Sequence, residues 1–250
     1  MRHVSFALPW IDVNTPLPPM EQAWPRGSEA PGLLAAGDDL SVARLRQAYA
    51  QCTFPWFSEG QPVLWWSPDP RMVLDVGQFR LHRSLRKKIA QLVRMGRLVI
   101  RMDHDFAAVI RACAHQSREG QDGTWIVPPM VQAYEAWHAA GDVHSVEAWV
   151  DGELAGGLYG VNLGRAFFGE SMFTRQTDGS KIALAALVAF CRSQGITHVD
   201  CQQNTPHLAF MGAREMPRAA FAQLVRKAMT HPAPSWQFHA LYWQALQSAD

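Results

Sequence analysis

The sequence lacks several patterns that would place a protein in a class at once. No apolar run reaches the roughly 18 residues that a membrane span needs, and the N-terminal residues contain no apolar stretch long enough for a secretory signal. None of the four cysteines forms a C-x-x-C pair, which disfavours zinc and thioredoxin-like sites. A Walker loop, a G-x-S-x-G motif and an H-x-x-x-H pair are also absent. We therefore expect a cytoplasmic protein with reduced thiols, no membrane attachment and no metal.

The residues that are present exclude a disordered chain. Hydrophobic residues make up 48% of the 250 positions and charged residues only 18%, which provides enough apolar side chains for a sizeable core. Ten of the 16 prolines lie in residues 1–70, and five of the ten tryptophans lie before residue 67. This composition predicts a small N-terminal α/β domain over residues 1–70, built from short elements and turns.

Charge is distributed very unevenly along the chain. The formal net charge is only +1, which by itself argues against nucleic-acid binding. Residues 80–101, however, contain eight Lys or Arg and no Asp or Glu, so the rest of the chain carries 15 cations against 22 anions, a sum of −7. Arg83, Arg86 and Lys87 stand at helical spacing and would share one helix face. A solvated face is the ordinary interpretation, but the absence of acids favours contact with a phosphate backbone.

The sequence pattern over residues 71–232 predicts a larger domain in which strands and helices alternate. Asp105 is placed to cap a helix, and Asp151-Gly152 is typical of a type I′ hairpin. Gly195 would end a helix that is apolar on nearly all sides and must therefore be buried. Hairpins followed by a buried helix and another strand indicate an α+β fold with helices on a mixed sheet.

Residues 233–250 are expected to form a C-terminal tail that is loosely attached to the larger domain. Three aromatic residues in this segment, Trp236, Phe238 and Trp243, could nevertheless pack back onto it. No internal repeat or low-complexity tract is present.

The strand predicted over residues 196–201 ends in two side chains that are capable of chemistry. Because side chains alternate along a strand, Asp200 and Gln202 are expected on one face, about 7 Å apart at the backbone. A carboxylate beside an amide could align a nucleophile and hold its proton. The alternative, which spacing alone favours, is that both side chains only cap backbone groups of a loop.

Glu170 is unusual because it lies inside an aromatic and Met-rich strand over residues 167–173. Burial of a carboxylate there is costly unless the group has a partner. A structural hydrogen bond to a loop and recognition of an amine are equally compatible with this position.

A loop before the buried helix is similar to a phosphate-binding motif. Its sequence, Gln176-Thr177-Asp178-Gly179-Ser180-Lys181, approaches the Q-x-x-G-x-G/A loop of acyl-CoA N-acyltransferases. The helix N-terminus that follows is the context in which such loops bind phosphate. Lys181 stands where a small residue would let a pyrophosphate approach the backbone, so the loop indicates the fold more than it indicates CoA.

Several rare strings together resemble the leucyl/phenylalanyl-tRNA–protein transferase family. They follow one another in the family's order and spacing from about residue 31 to 222, and several contain tryptophan. The strings are Thr53-Phe54-Pro55-Trp56-Phe57-Ser58, Leu64-Trp65-Trp66-Ser67-Pro68-Asp69-Pro70-Arg71, Gly123-Thr124-Trp125-Ile126, His144-Ser145-Val146-Glu147, Gly156-Gly157-Leu158-Tyr159-Gly160-Val161, Phe168-Gly169-Glu170-Ser171-Met172-Phe173, Ser180-Lys181 and Asp200-Cys201-Gln202.

The resemblance implies an enzyme that moves Leu, Phe or sometimes Met from an aminoacyl-tRNA to the N-terminal Arg or Lys of a protein. The product would carry a destabilising N-terminus for N-degron proteolysis. The larger C-terminal domain would have a GNAT-like (acyl-CoA N-acyltransferase-like) fold that uses no CoA and no other cofactor. The partners would be aminoacyl-tRNA and proteins with an N-terminal Arg or Lys, and the enzyme is expected to be a monomer.

The same resemblance implies roles for individual positions in the reaction. Gln202 would accept a hydrogen bond from the attacking amine, and Asp200 would orient or polarise it. Glu170 would meet the α-amine of the aminoacyl group. The apolar pocket for the amino-acid side chain and the walls around the 3′ adenosine would come from Leu158, Phe167, Met172, Leu184, Leu187, Val199, Trp56 and Trp125.

The macromolecular partners would contact other residues. Arg83, Arg86 and Lys87 would hold phosphates of the tRNA acceptor stem, and such contacts carry little sequence information. The cationic acceptor side chain needs an acidic patch, for which Glu147 and Asp200 are the candidates.

Two other functions remain as alternatives to the transferase. They are an acyl-CoA-dependent N-acyltransferase of related fold and a non-catalytic module that binds tRNA or peptide. Lys181 and the basic run favour the transferase over the first, and the Asp200/Gln202 pair favours it over the second.

Overall fold

Two β-sheets organise the molecule. The computed structural model describes residues 7–116 and 126–246. Within these residues, a four-stranded sheet contains β1 (Trp10–Ile11), β2 (Leu33–Gly37), β3 (Phe54–Pro55) and β4 (Val63–Trp66), in the order β1-β2-β4-β3. A seven-stranded sheet contains β5 (Arg71–Asp75), β6 (Leu98–Met102), β7 (Val143–Val150), β8 (Glu153–Leu163), β9 (Ala166–Thr174), β10 (His198–Gln202) and β11 (Arg214–Met216), in the order β11-β5-β10-β9-β8-β7-β6.

Helices pack against both sheets, so the predicted α+β class is confirmed. The helices of the described residues are α1 (Val42–Ala50), α2 (Arg83–Arg94), α3 (Phe106–His115), α4 (Pro128–Ala139), α5 (Gly179–Gln194), α6 (Pro206–Phe210) and α7 (Arg218–Met229).

Three local predictions are confirmed by the backbone. Asp105 caps α3, because its Oδ1 accepts a hydrogen bond of 3.0 Å from the amide of Ala108. The turn between β7 and β8 has positive φ at both central residues, 54° at Asp151 and 82° at Gly152, as a type I′ turn requires. Gly195 ends α5 with a φ of 72°, a left-handed conformation that glycine adopts without a steric penalty.

Two apolar clusters cover the two faces of the larger sheet. One of them also contains residues of the N-terminal segment, so Tyr49 and Trp65 pack in the same cluster as Phe168. The other joins the opposite face of the sheet to α2 and α5. Burial of one large apolar side chain contributes about 1.5–3 kcal/mol. The smaller sheet is therefore anchored to the larger one through a shared core.

Helix α5 is enclosed by the fold, as its composition predicts. Its residues 182–191 are all buried. Its first turn lies directly on β8, because a Cβ atom added at Gly156 would come within 2.4 Å of the carbonyl carbon of Gly179. No described helix has the length and apolar character needed to cross a membrane.

The C-terminal segment packs onto the larger domain, which corrects the expectation of a loose tail. The ring of Trp236 stacks on His144 with 4.2 Å between centroids, and its Nε1 donates to Oδ1 of Asn162 at 2.9 Å. Arg192 of α5 donates to the carbonyl of Ala245 at 2.7 Å. Leu246 is buried in the same cluster as α5. The aromatic residues of this segment hold it against the domain.

Candidate active site

A cavity of about 290 Å³ opens at the point where β9 and β10 separate. These parallel strands pair only at Phe167 with Val199 and at Phe168 with Asp200. Both strands continue beyond this point, and the residues that follow the pairing on each strand line the cavity. The lining consists of Phe54, Pro55, Trp56, Leu158, Tyr159, Gly169, Glu170, Ser171, Met172, Leu184, Leu187, Val199, Asp200, Cys201, Gln202, Gln203, Thr205, His207 and Leu208.

Asp200 forms a buried ion pair at the base of this cavity. Nε and Nη2 of Arg71 donate to the two carboxylate oxygens at 2.8 and 2.7 Å, and both side chains are fully shielded from solvent. Nη1 of Arg71 donates to the carbonyl of Cys52 at 3.1 Å, and the guanidinium lies over the rings of Phe54 and Phe221. Two parallel hydrogen bonds fix the plane of the carboxylate as well as its charge.

Gln202 lines the cavity, but its position on β10 differs from the one that strict alternation predicts. A bulge in β10 pairs Asp200 with Val73 but Gln202 with Met72, and these partners face opposite sides of the sheet. The expectation that Asp200 and Gln202 share one face is therefore wrong. Gln202 has a φ of 53°, and its amide donates to Oδ1 of Asp200 at 3.0 Å. The two side chains line one cavity because the strand ends there.

Glu170 has partners from three elements. Its Oε1 accepts from Nε2 of Gln202 at 3.3 Å, and its Oε2 accepts from the hydroxyl of Tyr134 at 3.2 Å. The hydroxyls of Tyr49 and Tyr134 also bond to each other. Burial raises the pKa of Glu170 to about 8, against the opposing effect of the hydrogen bonds from Tyr49 and Tyr134. The group can therefore gain or lose a proton near neutral pH.

The apolar wall of the cavity combines β8, β9, α5 and β10. Leu158, Leu184, Leu187 and Val199 are buried, Met172 is half-buried, and all five line the cavity. Their role as a pocket for an amino-acid side chain stays a prediction.

Phe167 does not belong to this wall. It is 2% exposed and packs against Trp236 behind the lining, so its assignment to the pocket is corrected. The reason is tertiary packing, because its ring meets the ring of Trp236 from the C-terminal segment, although its strand partner Val199 lines the cavity.

Trp56 belongs to the part of the cavity wall that the N-terminal segment contributes. Its backbone carbonyl accepts from Nε1 of Trp66 at 2.7 Å, and the two rings lie 5.5 Å apart. Trp125, the other residue expected at the adenosine, lies outside the described residues.

The three cations predicted to hold phosphates all lie on α2. Arg83 and Lys87 are exposed and Arg86 is half-buried. The apolar residues of this helix face the opposite way, into the core. The sequence 83–94 thus forms an amphipathic helix with one basic face.

The loop that is similar to an acyl-CoA phosphate motif is closed by side chains. Lys88 of α2 donates to Oδ2 of Asp178 at 3.0 Å and to the carbonyl of Thr177 at 2.6 Å. Lys181 donates to the other carboxylate oxygen at 3.1 Å. Two ammonium groups at this helix N-terminus are thus bound to a carboxylate of the loop itself.

Glu147, a candidate for the acidic patch, has a structural role. Glu147 is fully buried and accepts hydrogen bonds from the amides of His104 and Asp105 and from the side chains of Ser145 and Trp149. It is therefore unavailable to an acceptor cation, which corrects that suggestion. Within residues 7–116 and 126–246, His, Cys, Asp and Glu side chains nowhere come together in threes that could hold a metal ion.

Comparison with known proteins identifies the family. The family model described as leucyl/phenylalanyl-tRNA protein transferase matches residues 73–226, and the model of that family's N-terminal domain matches residues 38–69. The chain belongs to the leucyl/phenylalanyl-tRNA–protein transferase family. Relatives of that name from Methylibium petroleiphilum and Albidiferax ferrireducens are 59% and 56% identical to it. The alignments cover 94% and 96% of this chain and 89% and 94% of the relatives.

One solved structure is much less similar to this member of the transferase family. A functionally unknown conserved protein from Staphylococcus epidermidis aligns with a TM-score of 0.37 and 11% identity, covering 74% of this chain and 68% of that chain. This similarity is too weak to carry an argument about the fold.

Among the residues that line the cavity or lie next to its carboxylates, the sequence pattern assigned no role to Arg71, Tyr49, Tyr134 and His207. Arg71 even lies between the two segments that the family models match. One signal was available for it, because a carboxylate at the end of a buried strand requires a cationic partner. The tyrosines come from α1 and α4, and no spacing rule predicts that their hydroxyls meet at Glu170.

Proposed function

We propose that the chain transfers a leucyl, phenylalanyl or methionyl group from aminoacyl-tRNA to the N-terminal Arg or Lys of proteins, and that this marks them for N-degron proteolysis. The observation that carries the proposal is a single cavity in which an apolar wall meets Glu170 and Gln202. An aminoacyl group has this division, with an apolar side chain on one side and a polar amine and ester on the other. Membership of the family supports the same reaction.

The reaction joins an α-amine to an activated ester and needs little basic assistance. A free α-amine has a pKa of about 7.7–8.0, so a sizeable fraction is already neutral at pH 7.5. The nitrogen attacks the ester carbonyl carbon, and the ribose oxygen leaves. Positioning of the two substrates therefore supplies much of the rate.

Gln202 and Asp200 would position the attacking amine. The carboxamide oxygen of Gln202 is the acceptor for the amine N–H, since its Nε2 already donates to Glu170. Asp200 fixes Gln202 through the backbone amide and is itself neutralised by Arg71. We therefore assign Asp200 an orienting and polarising role in preference to that of a proton acceptor.

Glu170 would bind the α-amine of the aminoacyl group. An ammonium in the pocket would favour the carboxylate form of a group whose pKa is otherwise raised to about 8. The amine and Glu170 would then share one proton, which leaves the ester carbonyl of the same residue facing the acceptor. The apolar wall, with its half-buried Met172, would accept Leu, Met or Phe because a thioether side chain adapts to different shapes.

The tRNA would lie along α2. Arg83, Arg86 and Lys87 would contact acceptor-stem phosphates, and Trp56, together with Trp125, would stack on the 3′ adenosine. Phosphate contacts fix position and carry little sequence information, so any tRNA with a suitable amino acid would serve.

We further propose that the larger sheet has the GNAT-like arrangement and that the enzyme works as a cytoplasmic monomer without a cofactor. The support for the fold is the parallel pair β9 and β10, joined by α5 and separating around the cavity. The closed loop at Asp178 supports independence from CoA.

The test is transfer of labelled phenylalanine from Phe-tRNA to a peptide that begins with Arg. The expected product is the peptide extended by Phe at its N-terminus. A peptide that begins with Ala serves as the matched control and should remain unmodified. Acetylation of the Arg peptide from acetyl-CoA, without transfer from Phe-tRNA, would instead establish the acyl-CoA alternative.

A further inference from the structure

The wall of the cavity contains a polar atom that the proposed reaction leaves without a role. His207, the second residue of α6, lines the cavity together with Gln202 and Glu170. Its Nε2 is shielded from solvent and has no hydrogen-bond partner in the part of the chain that the structure describes. Buried polar atoms of proteins are nearly always paired, and an orphan at a substrate cavity indicates a partner that arrives with the substrate.

The protonation state of this ring suits a neutral hydrogen-bond donor. Burial lowers the pKa of His207, and the positive charge of Lys181 acts in the same direction. A lowered pKa favours the uncharged imidazole, which carries one N–H. A neutral ring costs less to keep beside apolar Leu184 and Leu187 than an imidazolium would.

The chemistry of ester aminolysis requires such a donor. When the amine nitrogen attacks, the carbon–nitrogen bond forms and the carbonyl electron pair moves onto oxygen. On collapse the carbonyl re-forms and the bond to the ribose oxygen breaks. That oxygen leaves with the electron pair and takes the proton that the amine gives up. Fixed donors aimed at the transient oxyanion typically contribute about 10²–10³ in rate.

Three other polar side chains at the cavity already have hydrogen-bond partners. Gln202 donates to Glu170, Asp200 is paired with Arg71, and the hydroxyl of Thr205 accepts from the amide of Leu208 at 3.3 Å. His207 and Gln202 both line this cavity of about 290 Å³, in which the aminoacyl ester would bind.

We propose that His207 is a further catalytic residue, whose Nε2–H donates a hydrogen bond to the ester carbonyl oxygen as negative charge develops there. The proton stays on the imidazole throughout, so the ring stabilises the oxyanion and transfers nothing. This inference rests on the proposed aminoacyl transfer and adds to it the group that receives the developing charge.

The experiment compares turnover and binding in one set of variants. His207→Ala should lower kcat for Phe transfer about 100-fold, with KM for Phe-tRNA within about twofold of the wild type. The affinity for an adenosine that carries phenylalanine through a non-reactive amide bond should stay within the same twofold. His207→Gln restores an N–H donor, so its kcat should be at least tenfold higher than that of His207→Ala.

A matched control separates the hydrogen bond from the structure of α6. Phe210 is on the same helix, lies outside the cavity lining and stacks on His82 with 3.9 Å between centroids. Phe210→Ala disturbs the packing of α6 but leaves Nε2 in place, so kcat should stay within about twofold.

Three outcomes would overturn the assignment of His207. They are wild-type kcat in His207→Ala, equal kcat in the Ala and Gln variants, and a loss of analogue affinity as large as the loss of kcat/KM. Wild-type transfer in the same assay tests the proposed function separately, because the assignment depends only on the ratio of variant to wild type.

Discussion

Charge is used in opposite ways on helix α2 and in the cavity. On α2, Arg83 and Lys87 are exposed at the surface of one basic face, where attraction to phosphates depends on the sum of charges. In the cavity, Asp200 and Glu170 each have specific partners that come from distant parts of the chain. A surface with several cations still attracts phosphates after one cation is lost. A buried carboxylate that loses its specific partner is left uncompensated. Substitutions should therefore have graded effects on α2 and severe effects in the cavity.

The largest effect is expected from Arg71→Met. This change leaves the carboxylate of Asp200 buried without its cation, which typically costs about 3–5 kcal/mol of unfolding free energy. Urea denaturation measures it. The matched control is Arg97→Met, which breaks the exposed pair with Asp151 and should cost no more than about 1 kcal/mol. Equal losses of unfolding free energy in the two variants would contradict the view that the buried pair matters more than a charge at the surface.

Glu170→Gln should change the pH dependence of stability. The folded-state pKa of Glu170 is raised from 4.5 to about 8, so the folded protein holds this proton more tightly than the unfolded chain. The stability that the proton contributes is complete below about pH 4.5 and is lost as pH rises through 8. The variant should therefore gain stability relative to the wild type between pH 5 and pH 9, by an amount on the order of a few kcal/mol.

Unfolding free energies measured at those two pH values provide the check on Glu170. Gln keeps the shape of the side chain and can still bond to Tyr134, so packing should change little. Parallel stability curves for variant and wild type would mean that Glu170 is ionised in the empty cavity.

Gln202→Ala should lower turnover by about 100-fold, equivalent to roughly 2.7 kcal/mol, because the acceptor amine loses its alignment. The affinity for tRNA should be largely retained, since the phosphate contacts proposed above involve α2. Single-turnover kinetics and a tRNA binding titration separate the two quantities. Normal turnover in this variant would remove Gln202 from the mechanism.

The smallest effect is expected from Arg83→Glu. Affinity for tRNA should fall about tenfold at low salt. The slope of log Kd against log salt concentration should decrease by the amount that corresponds to roughly one to two phosphate contacts. Turnover at saturating tRNA should not change. Lys227→Glu, an equal change of charge at an exposed position on α7, is the control and should leave the salt dependence intact. Identical slopes for Arg83→Glu and the wild type would place the tRNA elsewhere.

Local structure was predictable from the sequence where neighbours in the chain decide it. Asp105, the Asp151-Gly152 turn and Gly195 act on their own few residues, and each is where the spacing predicts it. The apolar wall of the cavity was also predictable, although through family resemblance and not through periodicity. Every one of its members could have been ordinary core.

The partners of the charged groups could not be predicted, because tertiary structure decides them. Arg71 is 129 residues from Asp200 and meets it only because β5 pairs with β10. Gln202 illustrates a sharper limit. Its expected position followed from strict alternation, and a single bulge at the strand end reverses the face. The prediction for Phe167 failed because tertiary packing places its ring against Trp236, 69 residues further along the chain.

Arg71 also contacts segments that are far apart in the sequence. Its guanidinium contacts the carbonyl of Cys52 before the first sheet's β3, the ring of Phe54 on that strand, the ring of Phe221 on α7, and Asp200 on the larger sheet. One guanidinium therefore touches both sheets and also fixes the carboxylate that bonds to Gln202. A displacement of the smaller sheet relative to the larger one would act directly on Asp200, so the cavity depends on how the two sheets are packed together.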